Sequence, residues 1–92
     1  MNIVIVYGKI VSKIDFKFIY SRYKTEKEYN SKYKHTSIVR FKIKLLDNNL
    51  IEVYGYDNIA DYIYRNLKEN DIVLIYGKLD SNLKINIEYI EK

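Results

Sequence analysis

Five stretches of this chain alternate apolar and polar side chains with a period of two, and one changes to a spacing near four. Residues 2–20 read as one long strand bent at Gly8. Past the bend, Ile10, Ile14, Phe16 and Phe18 share one parity, and Lys9, Lys13, Asp15 and Lys17 take the other. From Ser37, Val39, Phe41, Ile43 and Leu45 point one way, while Ile38, Arg40, Lys42 and Lys44 point the other. Asp47-Asn48-Asn49 predicts a tight turn, because Asn and Asp tolerate left-handed backbone. The next strand sets Ile51 and Val53 inward and Leu50, Glu52, Tyr54 and Tyr56 outward. Ile59, Ile63 and Leu67 then recur four residues apart, flanked by Ala60 and Tyr64, which predicts a one-sided helix of about eleven residues. Asp57 is its expected N-cap, Asp61 lies in the first turn, Arg65 and Lys68 lie in the last, and Asn70 supplies a left-handed stop. Two strands, Ile72–Leu79 and Lys84–Ile90, follow around a turn at Asp80-Ser81-Asn82.

The first and fourth strands repeat a phrase. Ile3–Lys13 is IVIVYGKIVSK and Ile72–Asn82 is IVLIYGKLDSN, with six identities, and IEVYGYD at Ile51–Asp57 is a third variant. Each glycine of the chain (Gly8, Gly55, Gly77) follows a tyrosine at the end of a β-branched run. Glycine inside a strand marks a bulge, a bend or a close backbone approach. Used in three strands, it suits a small, tightly coiled barrel. The element order (strand, loop, strand, hairpin, strand, helix, strand, turn, strand) is that of the five-stranded OB-fold Greek-key barrel, with its helix between strands three and four. The fold class expected is therefore all-β with one helix, in one domain spanning residues 1–92.

Composition narrows the function. A chain of 92 residues has room for one core and none for a deep catalytic cleft. Cysteine is absent, which excludes disulfides, zinc knuckles, iron–sulfur sites and thiol nucleophiles, and is compatible with a reducing cytosol. A cytoplasmic location is expected: no apolar run approaches the ~18 residues of a membrane span, and the chain enters a strand at once, without the pattern of a secretory signal. The single histidine, His35, has no evident nucleophile or metal partner and reads as a loop residue. Asp47, Asp57, Asp61, Asp71 and Asp80 fall at turns, caps and strand starts, with no pairing at metal-ligand spacing. No catalysis, cofactor or metal is expected.

A net charge of +4 points to a polyanionic partner, and eleven Tyr against three Phe suggest an aromatic surface that tolerates water. Both features meet on the outward parity of strands two and three, where Arg40, Lys42 and Lys44 run beside Tyr54 and Tyr56. They meet again in residues 21–36, SRYKTEKEYNSKYKHT, a loop without one aliphatic side chain. Loops of that length are usually functional or disordered. Tyr20, Arg22, Tyr23, Lys24, Tyr29, Lys32, Tyr33 and Lys34 are its candidate contacts. Bases stacked on aromatic faces, with lysine and arginine tracking the phosphates, are what single-strand binding requires. Tyr7 and Tyr76 are expected to pack, Tyr62 and Tyr64 to pack with the helix, and Tyr89, in parity with Ile85 and Ile87, to lie in the core.

The stretch Thr36–Leu79 resembles the bacterial single-stranded DNA-binding proteins. It carries their second strand (TSIVRFKIKL), third strand (Ile51–Asp57), an Ala-containing helix (Ile59–Glu69) and a fourth strand ending IYGKL, and the opening IVIVYGKI is similar to their first. The resemblance implies a stacking role for Tyr56, just before the helix, and assembly through the first strand as a dimer or tetramer, with Ile3, Ile5 and Tyr7 at the contact. Asp57 replaces the family's glycine, and Glu52 is acidic where a base would help. The hairpin after strand two and the turn after strand four are very short, and the linker and acidic tip that recruit replication partners are not expected after Lys92. The nearest fit is a short primosomal, phage or mobile-element relative acting in replication, repair or recombination. Two other readings of the surface stay open: an OB-fold accessory subunit that contacts a polymerase, primase or helicase, and an RNA-binding barrel.

Overall fold

Five strands that each carry one Ile- and Val-rich face bury all five faces together when the sheet curls onto itself. The computed structural model, which describes residues 2–19 and 35–92, shows that closure. Its elements are β1 (Ile3–Ile10), β2 (Asp15–Phe18), β3 (Ser37–Leu45), β4 (Leu50–Tyr56), α1 (Asn58–Asn66), β5 (Ile72–Leu79) and β6 (Ile85–Glu91). The ring runs β1-β5-β6-β4-β3 and returns to β1, with β2 continuing along β3. All pairings are antiparallel except β4–β6, which is parallel. This is the OB barrel.

Val39, Ile43, Val53, Ile75 and Ile85 fill the interior without solvent contact. Each buried aliphatic side chain of this size stabilises the fold by about 1.5–3 kcal/mol. Ala60 and Ile63 of α1, with Leu67 just beyond it, close one end of the barrel.

The two copies of the repeated phrase are neighbours. β1 and β5 pair antiparallel so that Ile3 faces Lys78, Val4 faces Gly77, Gly8 faces Val73 and Lys9 faces Ile72. Each glycine thus meets the second residue of the other copy, a local two-fold. None of the three glycines has a positive φ, so what they supply is room. Gly8 pairs with Val73 on one side and Leu45 on the other, where β1 passes from β5 to β3, and a Cβ there would lie 2.7 Å from the Lys44 carbonyl oxygen. A Cβ on Gly77 would strike the Asn86 carbonyl oxygen.

Four expectations need correction. The single strand expected over residues 2–20 is, within the described residues 2–19, two strands, and the break falls after Ile10 rather than at Gly8. The link is strapped to β3: the Val11 N–H donates to the Lys42 carbonyl (3.0 Å), and Ser12 Oγ accepts from the Lys42 N–H (2.8 Å). Tyr89 is 53% exposed rather than in the core. The β5–β6 register steps from Tyr76↔Tyr89 to Gly77↔Ile87, so Glu88 is an extra residue in a bulge, and the inward parity passes from Ile87 to Ile90. The helix spans nine residues and ends before Asn70, whose left-handed backbone (φ 80°) instead forms the turn into β5. Asp57 occupies the N-cap position, yet its side chain makes no capping bond.

Candidate nucleic-acid interface

Residues directly opposite one another in a sheet share a face, so the strand registers decide which outward side chains meet. The β3–β4 register sets Ile38 opposite Tyr56, Arg40 opposite Tyr54, Lys42 opposite Glu52 and Lys44 opposite Leu50. On one flank β2 brings Lys17 beside Ile38 and Asp15 beside Arg40. On the other, β6 brings Asn86 beside Tyr54. The five strand residues predicted for the site (Arg40, Lys42, Lys44, Tyr54 and Tyr56) therefore share one outer face. The other eight predicted residues, Tyr20, Arg22, Tyr23, Lys24, Tyr29, Lys32, Tyr33 and Lys34, lie outside the described residues.

The two tyrosines meet edge to face, with ring centroids 5.8 Å apart. Tyr54 is half-buried and its hydroxyl donates to Asp80 Oδ2 at 2.8 Å. Burial, and next the bond to this carboxylate, push its phenol up to about 12. Asp80 is held in turn: its Oδ1 accepts from the Asn82 and Lys84 N–H groups (2.8 and 3.0 Å). The Tyr54 ring is thus pinned, and it stays neutral well into the alkaline range.

Tyr56 is fixed by a second ring. The His35 imidazole stacks on it, with centroids 4.0 Å apart and planes 16° from parallel. His35 Nδ1 lies 2.9 Å from Asp57 Oδ2. Asp57 Oδ1 accepts from the Thr36 N–H (2.6 Å), Thr36 Oγ1 (3.1 Å) and the Ser37 N–H (3.3 Å). Burial pushes this carboxyl up, but the bonds from His35, Thr36 and Ser37 outweigh it and bring it to about 2. Asp57 takes φ 53°, a left-handed backbone uncommon for a non-glycine residue, and turns its carboxylate away from the helix toward the start of β3.

Three cations of this face, Arg40, Lys17 and Lys84, are paired with its acids. Glu52 bonds the Lys84 ammonium, which lowers its carboxyl below the usual value. The Arg40 guanidinium lies 3.3 Å from Asp15, whose other partner is Lys17 at 3.8 Å. The acid at position 52 therefore has a local counterion. Lys17, Lys84, Asn86 and His35 are members of the face that sequence reasoning passed over. Strand parity would have found Lys17. Nothing local to His35 pointed to Tyr56, 21 positions away. Among the described residues no group of three or more His, Cys, Asp or Glu could hold a metal ion.

Two other aromatic regions lie elsewhere. Phe16 stacks on Tyr64 of α1 (4.5 Å), with Phe18 edge-on to it (5.2 Å), in accord with the helix-packing expectation for Tyr64. Across the barrel, the outer side of β1, β5 and β6 exposes Ile3, Ile5, Tyr7, Ile72, Tyr76 and Tyr89, with Ile5, Tyr76 and Tyr89 in one cross-strand row.

No protein-family model and no curated protein sequence matches this chain. Solved structures do match its fold. It is similar to the SSB domain of a Synechococcus protein (TM-score 0.75, 13% identity, covering 100% of this chain and 96% of that one). It is also similar to a small single-stranded DNA-binding protein from Streptomyces coelicolor (TM-score 0.67, 14% identity, 97% and 89%). A deletion mutant of the single-stranded DNA-binding protein from Thermus aquaticus matches at TM-score 0.73 and 17% identity; all of this chain aligns with 40% of that one. The three share a fold with this chain at low identity.

Proposed function

We propose that this protein binds single-stranded DNA with little sequence preference. Bases stack on Tyr56 and Tyr54, and Arg40, Lys42 and Lys44, joined by Lys17 and Lys84, draw the phosphates along the face. The observation that carries this reading is the register that locks two pinned tyrosines beside a basic row on one exposed sheet face. The likeness to structures described as single-stranded DNA-binding proteins supports it. Stacking is tolerant of sequence because every base has a π face, and it contributes ~1–3 kcal/mol per base. The basic and tyrosine-rich segment between Ile19 and His35 has the composition to extend the contact, and work in replication, repair or recombination follows as the proposed setting.

The aliphatic face of β1 and β5 supports a second element of the proposal, association with further copies of the chain through Ile3, Ile5 and Tyr7. Exposed apolar side chains that adjoin across strands mark a surface suited to association.

The test is a titration with labelled oligo-dT, duplex DNA and RNA across a salt series, following tyrosine fluorescence. Tryptophan is absent, so quenching reports on the tyrosines directly. Salt-sensitive oligo-dT binding with quenching, and weak duplex binding, is the expected result. An absence of oligo-dT binding at low salt would transfer the function to a protein partner, and tighter RNA binding would move it to RNA.

A further inference from the structure

The aromatic face does not end at Tyr56. His35 lies parallel to that ring, its Nδ1 is bonded to Asp57, and Asp57 is itself held by three donors from Thr36 and Ser37. A carboxylate only accepts, so Nδ1 carries a proton in this bond and Nε2 is left facing away from Asp57. One face of the imidazole rests on Tyr56, yet 43% of the side chain remains open to solvent. A histidine fixed by a stack and a hydrogen bond while its side chain stays 43% exposed has the form of a stacking surface.

We propose that His35 is a third base-stacking ring of the interface, extending the row Tyr54–Tyr56 so that a nucleobase lies on the outward face of its imidazole. This rests on the single-strand reading above. The device also gives Asp57 a use. Its strained φ of 53° and a carboxylate turned toward the start of β3 position His35 over Tyr56, where a cap on α1 would leave that ring unsupported. Backbone strain of this kind concentrates at functional sites.

His35 is the only histidine, so its ring C–H signals are unambiguous in a proton NMR spectrum of the unmodified protein. Adding oligo-dT is expected to move them upfield through the ring current of the stacked base. In parallel, His35→Ala is expected to weaken oligo-dT binding about tenfold, and His35→Phe, which restores a flat ring without the Asp57 bond, to stay within about threefold of wild type. Tighter binding by His35→Ala would show that the imidazole masks Tyr56, and would overturn the proposal. So would unmoved ring signals on saturation, or a His35→Phe protein as weak as the alanine variant, since the bond to Asp57 would then be what matters. Failure of the wild type to bind oligo-dT at low salt is a separate outcome, which defeats the single-strand reading and this proposal together.

Discussion

The barrel shows two unlike faces to its surroundings although both rest on the same inward pattern of isoleucine and valine. On the β2-β3-β4 face the aromatic rings are few, pinned and set among charges: Tyr54 is bonded to Asp80, Tyr56 is stacked under His35, and Arg40, Lys42 and Lys17 stand around them. On the β1-β5-β6 face the rings of Tyr7, Tyr76 and Tyr89 lie among Ile3, Ile5 and Ile72. Tyrosine is common to both, so its presence alone says little about function. What separates the faces is the company the ring keeps. Beside cations, and held by hydrogen bonds, a tyrosine is preorganised to receive a flat, charged ligand and loses little freedom on binding. Among aliphatic groups it adds apolar area suited to a second surface of the same kind.

Substitutions should separate the two. Replacing Tyr54 and Tyr56 together with Ala is expected to lower oligo-dT affinity by about a hundredfold, from two stacking contacts of ~1–3 kcal/mol each, while leaving the sedimentation behaviour of the free protein unchanged. An unaltered affinity in the double variant would rule out the stacking mechanism. Salt provides the next contrast. If about three phosphates are neutralised, raising monovalent salt from ~50 to ~200 mM should weaken oligo-dT binding about twentyfold, and association through the aliphatic face should not follow that trend. A flat salt profile would remove the basic row from the account. On the other face, Ile5→Glu puts a charge in the middle of the aliphatic row, at a side chain 66% exposed, so the fold should survive. Self-association measured by sedimentation is expected to weaken about tenfold or more, with oligo-dT affinity per chain retained.

The smallest effect concerns Tyr54 alone. Tyr54→Phe keeps the ring and removes the bond to Asp80, and should lower Tm by a few degrees while keeping most of the affinity. Its pH dependence has a definite sign. The folded-state phenol is raised to about 12 from an ordinary value of 10.0. The stability tied to its neutral form is therefore complete below pH 10 and is lost as pH rises from about 10 through about 12. Unfolding measured from pH 9 to 12 should show this decline in the wild type and a shallower one in Tyr54→Phe. Parallel curves would mean that the bond to Asp80 contributes little.

Strand existence and the core followed from alternation, because one face of each strand had to leave water and only one parity was apolar. Val39, Phe41, Ile43 and Val53 were legible that way, as was the left-handed turn at Asn48. So were Arg40, Lys42, Lys44, Tyr54 and Tyr56 as outward residues, since parity fixes the side of a sheet. Parity fails where the ladder gains a residue: the bulge at Glu88 turned Tyr89 outward, and no local signal in INIEYIE announces it. Local rules also misdirected Asp57. An aspartate before a helix is ordinarily a cap, but here its carboxylate found stronger partners in Thr36, Ser37 and His35, which lie beside it only once β3 and β4 are paired.

The strands, the helix, the inward and outward sets and the basic–tyrosine character of one face follow from side-chain period and composition within a few residues. The tertiary structure decided which outward residues become neighbours. Lys17 beside Ile38, Lys84 on Glu52, Tyr54 on Asp80 and His35 on Tyr56 are joined across strands or between a strand and a distant turn, through register and barrel closure. Such contacts depend on the pairing of segments far apart in the chain, and no local pattern in the sequence specifies that pairing.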